Sequence, residues 1–299
     1  MASRLKSTKK YLVAVLLPKA TPEIPFWNDH VIGINQAEKE VSKFDVYTQI
    51  FYFDQNSEPS FFERVDEIIL NKFDGVFMVP VFYEDSLRLI KNCQEQSVPC
   101  LLFDTNFPDQ DQVSFIGQNA YDSGFLAAEL LDHCLPAGST ILIANIVKEH
   151  DNHLQFEKRE AGFRAFFAQH LYTKSIDIIK LETRQGITKG FEQELTELLR
   201  TTNKLKGIFT INGVQQVASV VEQHNWRDLK IVGYDIIPET VHYLQKNVID
   251  FIISQQPKMQ AYEGIKLLYE NLLLKKPLKL RYYLPIDIVM KSNLKYYTQ

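Results

Sequence analysis

Eleven short apolar runs recur along the 299 residues, and most are separated by stretches with helical spacing. The runs read as strands at residues 11–18, 46–53, 75–81, 99–104, 113–117, 140–146, 176–182, 206–211, 229–234, 249–254 and 285–290. A strand that is apolar throughout has to be covered on both faces, and strands alternating with helices run parallel. In the first helix Val31, Ile34, Ala37 and Val41 line one face, with Asn28 as the expected cap; near the end Ala261, Ile265, Leu268 and Leu272 do the same. So many strands exceed one comfortable doubly wound sheet at this length. The expectation is α/β, two doubly wound parallel-sheet lobes of five or six strands each, with helices on both faces. No Gly/Ser-rich linker separates the halves, so ordinary loops must carry the chain across.

A composition of 45% hydrophobic and 23% charged residues is that of an ordinary soluble globular protein. The net charge of −4 argues against a nucleic-acid-binding surface spread over the chain. The local exception is MASRLKSTKK, which holds Arg4, Lys6, Lys9 and Lys10 and no acid. Cys93, Cys100 and Cys134 cannot pair fully and lack CxxC spacing, which fits buried thiols in a reducing compartment. No apolar run approaches the roughly 18 residues that would span a membrane. The run YLVAVLLP reads as a buried strand, not the core of a signal sequence. A cytoplasmic location is expected, although a mature secreted form would read the same way.

In open parallel sheets ligands sit beyond the carboxyl ends of the strands. A phosphate cradle there needs glycines and free N–H groups after the first strand. PKATPEIPFW has no glycine, and Pro18, Pro22 and Pro25 each lack the donor. No GxGxxG or Walker pattern occurs elsewhere, so no nucleotide cofactor is expected. Polar residues do stand at the strand ends. The stretch Lys204 to Glu239 delivers Asn212 and Asp235 one strand–helix unit apart; the alternative is that each caps the following helix. VPCLLFDTN ends on Asp104 and Asn106, and VSFIGQN on Gln118 and Asn119, where Asn119 is the simpler cap and Gln118 the freer candidate. DFIISQQP ends on Gln255 and Gln256. Phe26 and Trp27 either pack on the core or turn flat faces to a ring with a polar edge, such as a sugar. Arg159 lies in a helix among Phe156, Phe163 and Phe166, where a guanidinium wants an acceptor; the plainer reading pairs it with Glu157 or Glu160. His150 and His153 stand beside Glu149 and Asp151, but no further ligand set accompanies them and no metal site is expected. With no GxSxG elbow and no histidine at a strand end, this polar set suits holding a polyhydroxylated molecule and not transforming it.

Six pieces in this order resemble one family: PFW (25–27), RxxGF (159–163), TIN (210–212), IVGYD (231–235), SQQP (254–257) and LPIDIVMKSN (284–293). Over residues 10–299 the chain is similar to the ligand-binding core shared by periplasmic sugar-binding proteins of the ribose type and the lactose-repressor family of transcription regulators. The resemblance implies that Phe26 and Trp27 stack on a ligand, and that Asp104, Arg159, Asn212, Asp235 and Gln255 hydrogen-bond it. Two departures bear on ligand identity: Gly213 stands where many relatives have an acid, and Ile24 where sugar binders often have an amide. The resemblance further implies one lobe of 10–118 with 256–283 and another of 119–255 with 284–299, three hinge crossings, and closure over a ligand in the inter-lobe cleft. Residues 1–9 resemble the end of a linker to a DNA-binding headpiece absent from the chain as given. The expectations are a cytoplasmic regulator, a homodimer without a membrane partner, with a small sugar or polyol as effector and operator DNA contacted only through the headpiece. The alternative is a mature periplasmic solute-binding protein of a sugar ABC transporter. The absence of a lipidation cysteine near the start and the LPIDIVMKSN ending weigh toward the regulator.

Overall fold

A computed structural model of the protein describes residues 9–22, 24–107, 112–146, 153–169, 174–183 and 189–298. Arg4, Lys6 and His150 lie outside these residues, as does most of the stretch resembling a linker. The chain forms two compact units. The first comprises residues up to Gly117 together with Gln256–Leu284, the second Gln118–Gln255 with the residues from Pro285 onward. The chain therefore passes between units after Gly117, Gln255 and Leu284.

The first unit is built from β1 (Tyr11–Pro18), α1 (Trp27–Val41), β2 (Val46–Phe53), α2 (Glu58–Leu70), β3 (Gly75–Met78), α3 (Tyr83–Glu95), β4 (Cys100–Phe103) and β5 (Ser114–Gly117). It is completed by α9 (Pro257–Leu274) and β11 (Arg281–Tyr283). Its six strands are ordered β11-β5-β4-β3-β1-β2, all parallel. The second unit holds α4 (Ala120–Cys134), β6 (Thr140–Ile146), α5 (His153–Gln169), β7 (Asp177–Thr183), α6 (Lys189–Thr201), β8 (Leu205–Thr210), α7 (Val214–Gln223), β9 (Lys230–Tyr234), α8 (Pro238–Gln245), β10 (Phe251–Ser254) and β12 (Asp287–Val289). Its order is β12-β10-β9-β8-β6-β7, parallel except that β12 runs antiparallel on β10. The fold class is as expected: two α/β lobes with helices on both faces of each sheet.

The two-residue period of a strand assigns each side chain to a face. In β1, Val13, Val15 and Leu17 join the core under α1 and α9, while Ala14 and Leu16 join the one under α2 and α3. In β6, Leu142, Ala144 and Ile146 pack toward α6, α7 and α8, while Ile141 and Ile143 face α4 and α5. Two expectations need correction. The strand read at 285–290 is β12, pairing with β10 in the second unit. It is preceded by a strand not expected from the sequence, β11, which pairs with β5 in the first unit, with Pro285, which has no N–H to donate, lying between them. Asn28 does not cap α1, which begins at Trp27 with Phe26 in the capping position and no side-chain cap. Asn119 does cap α4, its Oδ1 accepting from the N–H groups of Tyr121 and Asp122.

Glycines set how closely α4 and α5 approach. A Cβ at Gly124 would overlap the Arg159 carbonyl oxygen, and one at Gly162 the Tyr121 carbonyl oxygen, so each helix presses its backbone into the gap the other leaves. Gly162→Ala should destabilise the protein by at least about 1–3 kcal/mol, since backbone cannot yield as a side chain does. Chemical denaturation should show this as a lower midpoint.

In the first unit α1 buries His30 completely, against Trp27 and Phe103. Burial pushes the imidazole down to about 3, opposed in part by the Phe26 carbonyl. With the folded value depressed, the stability contribution is present above the unfolded value of about 6.5 and is lost as pH falls toward the folded one. By pH 5 the loss should reach about 2 kcal/mol. Denaturation at pH 7 and pH 5 should show that much less pH dependence in His30→Leu than in the parent; equal dependence would mean that His30 is charged in the folded protein.

Candidate functional site

The carboxyl ends of β8, β9 and β10, neighbours in the second sheet, meet at one side chain, Arg159 of α5. It is 3% exposed, far more buried than its flanking phenylalanines alone implied, and it pairs with neither Glu157 nor Glu160. Glu160 instead meets Arg164 and Lys180. Arg159 Nη1 donates to the Ile211 carbonyl, just past β8, at 2.8 Å. Nη2 donates to Gln255 Oε1, just past β10, at 2.6 Å, with a longer 3.5 Å contact to Gln155 Oε1. The guanidinium carbon stands 3.7 Å from the centre of the Tyr234 ring, the last residue of β9. Tyr234 is itself held from behind, its hydroxyl 2.9 Å from Ser123 Oγ on α4. Arg159 Nε has no hydrogen-bond partner.

From Gln255 the network continues outward. Its Nε2 donates to Asp235 Oδ1 at 2.7 Å. Asp235 follows β9 directly with φ of 75°, in the left-handed region that Asp tolerates better than most residues. Burial raises its carboxyl above the ordinary carboxylate range, opposed by the Arg159 charge and the Gln255 hydrogen bond. Gln118, 6% exposed, donates from Nε2 to the Ser254 carbonyl at 2.9 Å. That bond fixes the orientation of its amide, leaving Oε1 as a buried acceptor without a partner. Asn212 is engaged differently. Its Oδ1 accepts from the Ile146 N–H at 2.9 Å and its Nδ2 donates to the Ile146 carbonyl. The amide thus clasps the end of β8 to the end of β6, and the cap of α7 is Gly213 with φ of 67°. Arg159, Asp235, Gln255 and Gln118 are therefore brought to one end of the second sheet, while both ends of the Asn212 amide bond backbone.

In the first unit Asp104 follows β4 directly, also left-handed at φ 64°, and its N–H donates to Gln260 Oε1 at 3.0 Å. Phe26 and Trp27 meet edge to face, centroids 5.0 Å apart at 72°. They are not two parallel walls for one ring. Trp27, 7% exposed, packs in the core and donates from Nε1 to Gln55 Oε1 at 2.9 Å; Phe26 is half-buried. Sequence reasoning passed over Gln260, Tyr234 and Ser123. Gln260 carried a signal, being the one polar member of an otherwise apolar stripe through residues 261, 264, 265 and 268. Among the described residues no cluster of three or more His, Cys, Asp or Glu could hold a metal ion, and no helix is long and apolar enough to cross a membrane.

The fold has counterparts among known proteins. A chain from Bacteroides fragilis provisionally described as a LacI transcriptional regulator matches with a TM-score of 0.82 and 28% identity, over 97% of this chain and 100% of that one. An ABC transporter solute-binding protein from Burkholderia graminis, in complex with D-arabinose, matches with a TM-score of 0.81 over 99% of this chain and 100% of its own, at 21% identity, a likeness of fold. The xylose/arabinose-binding protein XylF of Sulfolobus acidocaldarius is 26% identical over 159 residues, 50% of this chain. The matched stretch spans 37% of that protein's length. A family model described as the periplasmic binding protein domain matches residues 13–276. With two α/β units and a polar network at the strand ends, and with that model covering most of its length, the chain belongs to the periplasmic binding protein domain family.

Proposed function

We propose that this chain senses a small sugar or polyol and, as the effector domain of a bacterial transcription regulator, passes that occupancy to the DNA affinity of the full-length protein. The observation that carries the binding half is the Arg159–Gln255–Asp235 network beside the buried Gln118 acceptor at the carboxyl ends of one sheet. Amides and a carboxylate suit hydroxyl groups, which both donate and accept. Nothing in the set acts as a nucleophile with a base beside it, so the sugar is held and released unchanged. The regulator half is supported by the end-to-end likeness, at 28% identity, to the Bacteroides chain. In this reading the protein works in the cytoplasm as a homodimer, because two-fold operators are read by two-fold proteins. Within the second unit Gln118, Arg159, Asp235 and Gln255 serve the ligand directly or through one another while Asn212 holds the strand ends; within the first unit Asp104 is the candidate ligand residue, Phe26 offers a half-buried face and Trp27 packs behind it.

The second reading, a solute-binding component of a sugar transporter, is favoured by the likeness in sequence to the Sulfolobus xylose/arabinose-binding protein. Thermal shift over pentoses, hexoses and polyols tests the half common to both. A ligand at 100 times its dissociation constant should stabilise by about 2.7 kcal/mol and raise the melting temperature by several degrees. No shift across the panel would remove the sugar reading. Sedimentation at micromolar protein then separates the two, a dimer being expected of the regulator and a monomer of the transporter component. Arg159→Ala should weaken sugar binding roughly tenfold or more. It should also lower the stability of the unliganded protein by about 3–5 kcal/mol, because a buried network loses its cation.

A further inference from the structure

We propose that Gln260 is a positioning residue: from α9 it holds the turn after β4 in the backbone shape that presents the Asp104 carboxylate to a hydroxyl-bearing ligand. The proposal rests on the sugar or polyol reading, with Asp104 as the ligand residue of the first unit, and adds to it a side chain that works from behind.

The turn itself is under strain. Asp104 is the first residue past β4, whose ladder ends with Phe103 opposite Ile116. The Thr105 N–H donates back to the Phe103 carbonyl at 2.7 Å, so the chain makes a three-residue turn with Asp104 at its centre. With φ at 64° this is the γ-turn of the left-handed kind, the rarer and more strained of the two. Glycine takes such a φ without penalty, yet an aspartate stands here. A side chain kept where its own Cβ is penalised points to work done by the carboxylate. Relaxation to negative φ would relieve the strain and redirect that carboxylate, so the turn needs an outside hold.

Gln260 supplies it. The Asp104 N–H donates to Gln260 Oε1 at 3.0 Å. Since φ is rotation about the bond from that nitrogen to Cα, the Gln260 bond on one side and the Thr105–Phe103 bond on the other resist its change. Gln260 is completely buried, in one stripe with Ala261, Gly264, Ile265 and Leu268. In such surroundings an amide oxygen left without a donor is costly, so oxygen and N–H stabilise each other. Its helix is closely packed on both sides of it. A Cβ on Gly33 of α1 would overlap the Lys258 carbonyl oxygen, and one on Gly264 would overlap the Phe77 ring. Phe77 stacks in turn on Phe103, the residue before Asp104, with centroids 4.0 Å apart at 23°. Amide and turn are therefore referred to the same aromatic pair.

Backbone amide exchange of the ligand-free chain reads the turn without any sugar. Gln260→Met keeps the length and removes the acceptor, and the Asp104 N–H should then exchange about tenfold faster. Gln260→Glu keeps an oxygen acceptor whether or not it is ionised, and should restore most of the protection. Calorimetric titration with D-arabinose, or whichever sugar of the panel binds, supplies the second readout. It is run as a double-mutant cycle with Asp104→Gly, which accepts the left-handed φ without strain and deletes only the carboxylate. Gln260→Met should weaken binding about tenfold in the parent and add nothing in Asp104→Gly. An equal loss in both backgrounds overturns the proposal, being the mark of a direct contact from Gln260 or of a general loosening of the fold. Unchanged Asp104 exchange in Gln260→Met overturns it as well. Should Gln260→Met fail to fold, Gln260→Asn enters the same cycle, its amide one methylene short of the Asp104 N–H. If the parent binds neither D-arabinose nor any other sugar, the sugar reading falls. Faster Asp104 exchange then still sustains the hold of Gln260 on the turn, and unmoved exchange still removes it.

Discussion

A guanidinium carried out of water has to find acceptors, since the desolvation cost is several kcal/mol per ion before compensation. In the second unit that requirement organises the end of the sheet. Arg159 reaches a carbonyl past β8, a ring at the end of β9 and an amide past β10, three adjacent strands. The clasp of Asn212 on Ile146 adds β6. Four neighbouring strands are thus fastened to one another by side chains at this end. Hydrophobic burial accounts for the sheet and its helices; the charged side chain accounts for the fixed geometry of the loops above it.

Among the described residues the first unit answers the same geometric problem without a buried cation. Asp104 and Asp235 each follow the third strand from the edge of a six-stranded sheet, and both adopt a left-handed backbone at φ 64° and 75°. Such a conformation costs roughly 1–2 kcal/mol for a residue other than glycine, so two at matching places point to a position that matters. Their supports differ. Asp235 has its carboxylate bonded by Gln255, while Asp104 has its backbone N–H bonded by Gln260, which reaches over from α9. The repeat is one of backbone.

How much of this the sequence disclosed follows from how local each signal is. Parallel strands buried on both faces leave uninterrupted apolar runs, so the α/β architecture could be read directly, down to two sheets of five or six strands each. The extra strand β11, and its joining a different sheet from β12, could not, because which sheet a strand joins depends on partners more than thirty residues away, β5 and β10. Strand-end residues were visible as polar interruptions, but their partners were not. Nothing near Asn212 announces Ile146, 66 residues earlier, and nothing near Arg159 announces Gln255, 96 residues later. For Phe26 and Trp27 the pairing was legible and the angle between the rings was not, since that depends on His30 and Phe103 beneath them.

The late return of the chain to its first unit has a consequence for synthesis. The face of the first sheet carrying Val13, Val15 and Leu17 is covered partly by Ala261, Ile265, Leu268 and Leu272 of α9. These residues follow β5 by some 150 positions, with the bulk of the second unit in between. At about 5–20 residues per second, a ribosome would leave that apolar face half-covered for roughly ten to thirty seconds. The second unit, lacking only β12 and the last residues, can close almost as soon as it emerges. The part of the protein made first would then be the part that waits longest for its cover, and the nascent chain would carry an open hydrophobic sheet that a trigger-type chaperone could shield.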